Sequence, residues 1–334
     1  MKKIIVLVGL FFSLLIGNDI GKPFLQTSHS EYITSLAVTA NGKFVISASA
    51  DNTIKLWNIN NAKCIRTFQG HTDKVSVVKI LSDGNYFLSA SADNTIKLWD
   101  IRKEEEIRTF YGHEKTINSI SIMKGSDFFL SGSKDRTIML WDIQSGKLVK
   151  KFPNKGRVSS VLILPNKKEF LAIDVKNNGV INLWSIENSR RILIEKNKNY
   201  YTFMGKLQLT PNEKFIIHFE IESEKKEGDI VIRDANSLER IKILKAHPQM
   251  ILALTISPDG KTIISSGGHL FKKKDITLKL WDIKSGKCLR TLGDFSHGIY
   301  AIAITPDSNF FLSAGSDKQI TLWNMKSGNK IKTF

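Results

Sequence analysis

The sequence predicts an all-β fold, a seven-bladed β-propeller made of four-stranded antiparallel blades. The first observation is a repeat: the stretch SASADNTIKLW occupies positions 47–57 and returns unchanged at 89–99. The second is the spacing of the tryptophans, which is 42 or 43 residues over most of the chain. The third is that turn residues separate short runs rich in Ile, Val, Phe and Thr, a pattern typical of strands. Small sheets that repeat in this way bury both faces by stacking in a closed ring.

The elements follow the same order in every repeat. An apolar run leads to a turn such as ILSDGN or TISPDGK, and a second run such as YFLSAS follows. A tight turn that contains Asp leads into TIKLWD, and a polar hairpin such as IQSGK leads into a fourth run such as CIRTF. Each repeat therefore supplies four consecutive strands joined by short hairpins.

Seven repeats result when each is marked by its tryptophan position. The gap between Trp184 and Trp281 is about two repeat lengths, and Arg233 takes the tryptophan position there, within VIRDAN. Because the last repeat has its own fourth run, we expect residues 330–334 to pair within it. Residues 22–28 are then expected on the edge of the ring or as a lid. The seven marker positions are Trp57, Trp99, Trp141, Trp184, Arg233, Trp281 and Trp323.

The N-terminus has the pattern of a secretory signal peptide. Lys2 and Lys3 precede an apolar run at residues 4–16, which is shorter than the ~20 residues that span a bilayer as a helix. We expect cleavage after Gly17 and a location in the periplasm or on the outer surface of a bacterial-type membrane. An uncleaved anchor and a cytoplasmic protein are the alternatives. The expected boundaries are 1–17 for the signal peptide, 18–23 for a linker and 24–334 for the propeller.

The chain of 334 residues is strongly basic, with a net charge of +17 and a pI of about 9.7. This excess favours anionic partners such as acidic proteins, nucleic acid, lipid headgroups or envelope polymers. The lysines are spread along the whole chain, so part of the charge simply covers exposed surfaces. Cys64 and Cys288 are the only cysteines, and they occupy matching positions of different repeats. We therefore expect two free thiols and no disulfide scaffold.

Short motifs in these repeats resemble those of WD-repeat β-propellers. A tryptophan–aspartate pair stands at Trp99-Asp100, Trp141-Asp142 and Trp281-Asp282. A glycine–histidine pair stands at Gly70-His71 and Gly112-His113, and a lone histidine at His29, His247 and His297. The resemblance covers residues 24–334 and rests on seven units in register at the spacing of about 40–45 residues usual for such repeats.

The resemblance implies a hydrogen-bonded relay in five blades. Its members are a His before the first strand, a Ser on the second strand, an Asp in the next turn and the Trp indole N–H. Partly buried polar groups need partners, and a closed relay fixes the strand pairing. The implied relays are His29–Ser47–Asp51–Trp57, His71–Ser89–Asp93–Trp99, His113–Ser131–Asp135–Trp141, His247–Ser265–Asp275–Trp281 and His297–Ser313–Asp317–Trp323. The alternative serines, two positions later, are Ser49, Ser91 and Ser133.

Histidine, serine and aspartate together also suggest a hydrolytic triad, but the set recurs five times in register, which favours a structural role. Outside these positions His218 and His269 each stand alone and offer no zinc cluster. The sequence has no glycine-rich phosphate loop either. We therefore expect no catalytic residues, metal or cofactor, and a propeller enzyme with an active site in the central channel remains an alternative.

Function on a repeated scaffold depends on the positions where the copies differ. The residues just before the first strands are expected to share one face of the ring with the basic loop HLFKKKD of the sixth repeat. Aromatic, Met and basic side chains together are typical of protein-binding surfaces. The residues predicted for this binding face are Tyr32, Lys74, Thr116, Lys134, Arg157, Phe203, Met250, Phe271, Lys272, Lys273, Lys274 and Tyr300.

The sequence therefore predicts a non-enzymatic scaffold, a monomeric propeller that binds an acidic protein or peptide on this face. A binder of an anionic envelope polymer or nucleic acid is the alternative, and steep salt dependence would distinguish it. Nucleic acid is disfavoured because export is expected and no stripe of aromatic and basic residues suited to base stacking is visible. Membrane association is expected only through an uncleaved N-terminal segment.

Overall fold

The structure of the chain is a computed structural model that describes residues 28–175, 179–196, 200–201, 206–222, 227–268, 276–293 and 295–334. Over these residues all regular elements are strands, and they form seven antiparallel sheets that pack as the blades of a ring. The predicted seven-bladed propeller of four-stranded antiparallel blades is confirmed. The signal peptide and linker predicted for residues 1–23 lie outside the described residues, so their boundaries stay predictions.

The first four blades each consist of four consecutive strands. Blade 1 contains β1 (Ile33–Val38), β2 (Phe44–Ser49), β3 (Ile54–Asn58) and β4 (Cys64–Phe68). Blade 2 contains β5 (Val75–Ile80), β6 (Tyr86–Ser91), β7 (Ile96–Asp100) and β8 (Glu105–Phe110). Blade 3 contains β9 (Ile117–Ile122), β10 (Phe128–Ser133), β11 (Thr137–Asp142) and β12 (Leu148–Pro153). Blade 4 contains β13 (Val158–Ile163), β14 (Glu169–Asp174), β15 (Val180–Ser185) and β16 (Arg191–Lys196).

Blade 5 differs, because two short strands share its first place. Strands β17 (Tyr200–Tyr201) and β18 (Gln208–Leu209) both pair with β19 (Phe215–Glu222), and β20 (Gly228–Asp234) and β21 (Arg240–His247) follow. Blade 6 contains β22 (Ile251–Ile256), β23 (Thr262–Gly267), β24 (Thr277–Asp282) and β25 (Cys288–Leu292). Blade 7 contains β26 (Ile299–Ile304), β27 (Phe310–Gly315), β28 (Ile320–Asn324) and β29 (Lys330–Thr333).

The turns predicted from ILSDGN and TISPDGK join the first two strands of blades 2 and 6. Gly84 and Gly260 both have a φ of 70°, in the left-handed region that glycine adopts without strain. Their amides donate back to the carbonyls of Leu81 and Ser257 at 3.0 and 2.8 Å. The chain therefore reverses within a few residues and keeps the first and second strands paired.

The core lies between the blades, where aromatic rings of neighbouring sheets meet. Phe110 at the end of blade 2 contacts Phe129 and Trp141 of blade 3 edge-on, with ring centroids 5.1 and 5.8 Å apart. Phe129 and Trp141 stack at 6.3 Å. The same trio recurs between blades 1 and 2 and between blades 3 and 4. Each aromatic pair adds about 0.5–1.5 kcal/mol to the gain from burial, so each blade depends on its neighbours.

The ring closes where blade 7 meets blade 1. Strand β29 pairs with β28 of the same blade, which confirms the prediction that the C-terminal run pairs within the last repeat. The Phe334 ring lies edge-on to Trp57 of blade 1 at 6.3 Å, and the Lys318 ammonium donates to the Ser30 carbonyl at 2.5 Å. Residues 22–27, expected on the edge or as a lid, lie outside the described residues.

Both cysteines are free, as predicted. Cys64 is half-buried at the start of β4, and Cys288 is exposed at the start of β25, in blades 1 and 6. Within the described part of the chain, no helix has the length and apolarity needed to cross a membrane.

Candidate functional site

Blades 1 to 3 each bring together the four polar side chains of the expected relay. In blade 2, His71 Nδ1 lies 2.7 Å from an Asp93 carboxylate oxygen, and His71 Nε2 lies 2.7 Å from the Ser89 hydroxyl. The Trp99 indole N–H donates to the same hydroxyl at 2.8 Å. In blades 1 and 3 the matching distances are 2.6–2.8 Å. The matching sets are His29–Ser47–Asp51–Trp57 and His113–Ser131–Asp135–Trp141.

The relay residues lie inside the blades and not on a surface. The side chain of His71 is 1 % exposed and that of Asp93 is 6 % exposed. The Ser89 hydroxyl is occupied by the indole hydrogen on one side and by the imidazole on the other. A nucleophile must reach its substrate, so this geometry serves strand pairing and not hydrolysis.

The serines two positions later perform a different task. The Ser91 hydroxyl donates to the carbonyls of Asp73 and Lys74 at 2.8 and 3.0 Å and accepts the Asp93 amide at 3.0 Å. Ser49 and Ser133 make the same contacts in blades 1 and 3. These serines are therefore not alternative relay members. They tie the loop before the first strand to the turn after the second strand.

A second repeated contact fixes the residue just before each first strand. Its carbonyl accepts the amide of the residue that follows the second strand, at 2.8–3.0 Å, in six blades. These residues therefore occupy equivalent positions on one face of the ring. The acceptors are Tyr32, Lys74, Thr116, Arg157, Met250 and Gly298, and the predicted seventh, Phe203, lies outside the described residues.

Five of the predicted face residues come together across blades 7, 1, 2, 3 and 4. The rings of Tyr300 and Tyr32 meet edge-on at 5.8 Å, and the Lys74 ammonium lies 6.0 Å from the Tyr32 ring centroid. Partial burial lowers the pKa of Lys134, and the charges of Lys74 and Arg157 lower it further, so both cations act on Lys134. We call these five residues the aromatic–basic arc.

The other predicted face residues are distributed differently. Thr116 and Met250 are half-buried beside the first strands of blades 3 and 6. The exposed carboxylates of Glu31, Asp73 and Glu114 belong to the same loops as the arc. The basic loop of blade 6, with Phe271, Lys272, Lys273 and Lys274, lies outside the described residues.

Blade 7 departs from the expected relay. The Trp323 indole donates to Ser313 at 2.8 Å, but His297 is exposed and bonds to the Ser296 hydroxyl at 2.6 Å. Asp317 is exposed as well, so the prediction is wrong for His297 and Asp317. In the regular blades the His precedes its Ser by 18 residues, and in blade 7 that position is Phe295. Its ring lies edge-on to Trp323 at 5.5 Å and takes the place of an imidazole.

Blade 4 lacks the relay for a similar reason. Strand pairing places Ala172 opposite Asn182, at the position that a relay Ser occupies elsewhere. Among the described residues, the buried indole N–H of Trp184 has no hydrogen-bond partner. Asn154, which precedes Ala172 by 18 residues, donates to the Gly156 carbonyl at 3.0 Å. The 18-residue spacing signals the loss of this relay in the sequence, because Asn154 and Ala172 stand where the regular blades have a His and a Ser.

Blade 5 replaces the relay with a buried pair of an arginine and a histidine. His218 occupies the relay Ser position of β19, and Arg233 occupies the Trp position of β20. The Arg233 guanidinium donates to His218 Nε2 at 3.0 Å. Burial lowers the pKa of His218 well below its usual value, and the charges of Arg233 and Arg240 add to this. The sequence left His218 as an isolated histidine, because its partner is an Arg that no motif marks.

Blade 6 keeps part of the relay. His247 Nε2 lies 2.8 Å from the Ser265 hydroxyl, which accepts the Trp281 indole N–H at 3.0 Å. His247 Nδ1 lies 3.2 Å from the Thr277 hydroxyl, and the predicted Asp275 lies outside the described residues. Burial, together with the charge of Lys279, lowers the pKa of His247 to about 3.

The relay aspartates of blades 1 to 3 have lowered pKa values. Burial alone would raise the pKa of Asp51, Asp93 and Asp135. The hydrogen bond and charge of the adjacent His, together with the hydrogen bonds of a Thr, lower the pKa by more than burial raises it.

Among the described residues, no group of three or more His, Cys, Asp or Glu side chains could hold a metal ion.

Seven antiparallel blades, three of which carry a complete tryptophan-centred relay, define a WD-type propeller. In line with this, residues 22–58, 62–100, 104–142, 238–282 and 286–324 match the family model described as WD domain, G-beta repeat. The chain belongs to the WD40 repeat family. The matched segments correspond to blades 1, 2, 3, 6 and 7, whereas blades 4 and 5 are the two that lost the relay serine. Propellers of this family serve in general as scaffolds for protein interactions.

Two relatives illustrate the similarity. The chain is 33% identical over 99 residues to the WD repeat and SOCS box-containing protein 1 of Homo sapiens, which is 29% of this chain and 22% of the relative. It is 32% identical over 97 residues to the nuclear distribution protein PAC1 of Arthroderma otae, which is 28% of this chain and 21% of the relative. The match thus spans about a fifth of the length of these relatives, both eukaryotic.

The missing acceptor in blade 4 makes a first prediction. Ala172→Ser should give the Trp184 indole a partner and raise the free energy of unfolding by about 1 kcal/mol. Ser89→Ala should lower it by about 2–4 kcal/mol, because both His71 and Trp99 lose a partner. Ser313→Ala is the matched control, since it leaves only Trp323 without an acceptor and should cost less. Urea unfolding measures all three, and equal losses for the two alanine variants would contradict the relay.

The lowered aspartate pKa values make a second prediction. Stability from these carboxylates is fully present above the unfolded pKa of about 3.9 and is lost as pH falls toward the folded values. The free energy of unfolding should therefore decline below about pH 4. Asp93→Asn should lower stability at neutral pH and flatten this decline in urea titrations across pH. The exposed Asp317→Asn is the control, and an unaltered profile for Asp93→Asn would refute the assignment.

Proposed function

We propose that the chain is a non-enzymatic scaffold that binds an acidic peptide or protein loop on the aromatic–basic arc. The observation that carries this proposal is that Tyr32 contacts Tyr300 and Lys74, and that the charges of Lys74 and Arg157 both act on Lys134. Tyrosine offers a large contact area with few rotatable bonds, which is why it is enriched at interaction surfaces.

The charges of the arc support an acidic partner. Among the described residues, no carboxylate lies within 4.0 Å of the cationic groups of Lys74, Lys134 or Arg157. Lys74 and Arg157 each repel the Lys134 ammonium, as the lowered pKa of Lys134 indicates. A carboxylate-bearing partner would relieve this repulsion, and a neutral partner would not.

The backbone beneath the arc supports a preorganised surface. The carbonyls of Tyr32, Lys74 and Arg157 are held by amides of the same blade at 2.8–2.9 Å. Ser49 and Ser91 fasten the same loops through their hydroxyls. A surface that is already ordered loses less entropy on association, so more of its contact energy contributes to affinity.

A display experiment tests the proposed partner class. A random peptide library selected on the full propeller should enrich sequences that combine Asp or Glu with an aromatic or aliphatic residue. The double variant Lys74→Glu with Arg157→Glu should weaken binding of an enriched peptide by about tenfold or more, measured by calorimetry. The matched control is Lys287→Glu with Lys326→Glu, because both lysines are exposed in hairpins that join third and fourth strands, at the opposite end of the strands from the arc.

The same experiment separates the alternatives. Equal loss of binding in both double variants would mean that overall charge, and not the arc, attracts the peptide. Binding of polyanions with a steep salt dependence, and no preference for apolar residues in the peptides, would favour the anionic-polymer function.

We also propose that the propeller acts outside the cytoplasm, on the basis of the basic and apolar N-terminal pattern at residues 1–17. Cells that produce the full chain should hold a mature form that begins at Asn18 and is digested when protease is added to spheroplasts. A variant without residues 2–17 should stay protected. A protected full-length chain that keeps residues 1–17 would contradict export.

A further inference from the structure

A cavity of about 520 Å³ occupies the centre of the ring, where the first strands of all seven blades meet. This size lies within the range of small-molecule sites, about 300–1,000 Å³. Most of its described lining is neutral. Of its four lysines, Lys124 pairs with Glu213 and Lys167 is exposed in the turn after the first strand of blade 4, whereas Lys79 lies on the first strand of blade 2 and Lys206 lies just before that of blade 5. The two residues are 127 positions apart in the sequence, so only the closed ring brings them to one cavity.

Neither lysine follows from the repeat. Strand pairing places Lys79 opposite Leu88, and the equivalent positions of the other blades are all uncharged. Lys206 lies two residues before Gln208, the blade 5 equivalent of Lys79. The uncharged residues at the position of Lys79 are Ala37, Ser121, Leu162, Gln208, Thr255 and Ala303.

The two ammonium groups lack an acidic partner in the cavity. Glu213 is the one carboxylate among its described lining residues, and it pairs with Lys124 at 2.9 Å. Burial lowers the pKa of Lys206 to about 8, and the charge of Lys79 contributes to this shift. The accessible surface of Lys79 faces the cavity, where protein surrounds the side chain, and burial lowers its pKa too. The site therefore has two cations that raise each other's energy.

Serine hydroxyls on the first strands of blades 3 and 4 can donate hydrogen bonds into the cavity. Ser119 and Ser121 accept the amides of Val161 and Ile163 at 3.1 and 3.0 Å, and Ser160 accepts the Leu207 amide at 3.0 Å. Each of these hydroxyls is occupied as an acceptor and keeps its own hydrogen for another group. Two ammonium groups and several hydroxyl donors match a compact anion with many acceptor oxygens.

We propose that the central cavity binds a small phosphate-type anion between Lys79 and Lys206, with serine hydroxyls of blades 3 and 4 as further donors. The bound group is either free phosphate or the phosphate group of a small metabolite, since both present the same acceptor oxygens. This site is separate from the aromatic–basic arc and does not depend on the proposed partner.

Thermal unfolding and calorimetry of the mature chain test the site. Inorganic phosphate should raise the melting temperature more than sodium chloride or sodium acetate at the same ionic strength. Lys79→Met and Lys206→Met should each weaken phosphate binding by about tenfold or more, which corresponds to about 1.4 kcal/mol. In the absence of phosphate, the melting temperature of both variants should be at least that of the original chain, because each variant removes one of two repelling charges.

Control variants and ligands separate binding in the cavity from a general effect of charge. Lys326→Met removes an exposed lysine of an outer hairpin and should bind phosphate like the original chain. Glycerol phosphate and pyrophosphate are added in separate titrations. Tighter binding of either than of inorganic phosphate would indicate a phosphorylated metabolite, and tighter binding of inorganic phosphate would indicate free phosphate. Equal stabilisation by phosphate and acetate, or unchanged affinity in both cavity variants, would overturn the proposal. Loss of phosphate binding in Lys74→Glu with Arg157→Glu would overturn the separation of the two sites.

Discussion

The structure depends on one constraint: a four-stranded blade can bury its two faces only against the blades on either side. Aromatic trios such as Phe110, Phe129 and Trp141 satisfy this constraint at the three interfaces between blades 1 and 2, blades 2 and 3, and blades 3 and 4. Blade 4 has lost its relay serine, yet Phe152, Phe170 and Trp184 still form the same trio. Packing between blades therefore holds the ring, and the relay refines the geometry inside each blade.

The relay nevertheless links architecture to the candidate function. In blades 1 to 3 it ties the loop before the first strand to the turn after the second, and the adjacent serines hold the carbonyls of that loop. Tyr32 and Lys74 thereby take fixed positions on one face, although both are half-buried side chains in loops. Polar groups that look catalytic in the sequence thus act as supports for residues that differ between blades.

Sequence spacing predicted the fold and the closure of blade 7, because these features repeat locally. The resemblance to WD-repeat propellers implied five relays, of which those of blades 1 to 3 are complete. The expectation for His297 was wrong, because a relay His precedes its Ser by 18 residues, as His71 precedes Ser89, and His297 stands two residues too late. Sequence spacing missed the pairing of His218 with Arg233, since strand register decides that contact. It also missed Lys79 and Lys206, because residues 127 positions apart share a cavity only after the ring closes.

The positions that break the repeat carry the most information about function. An uncharged residue occupies the position of Lys79 in every other blade, so the scaffold does not require a cation there. A neutral residue at the position of Lys79, such as Ala37 and Ser121 in the neighbouring blades, would end the repulsion between Lys79 and Lys206. Lys79 and Lys206 face one cavity from blades 2 and 5, and the proposed anion would offset their repulsion, whereas the proposed partner would meet the cations of the aromatic–basic arc on one face of the ring.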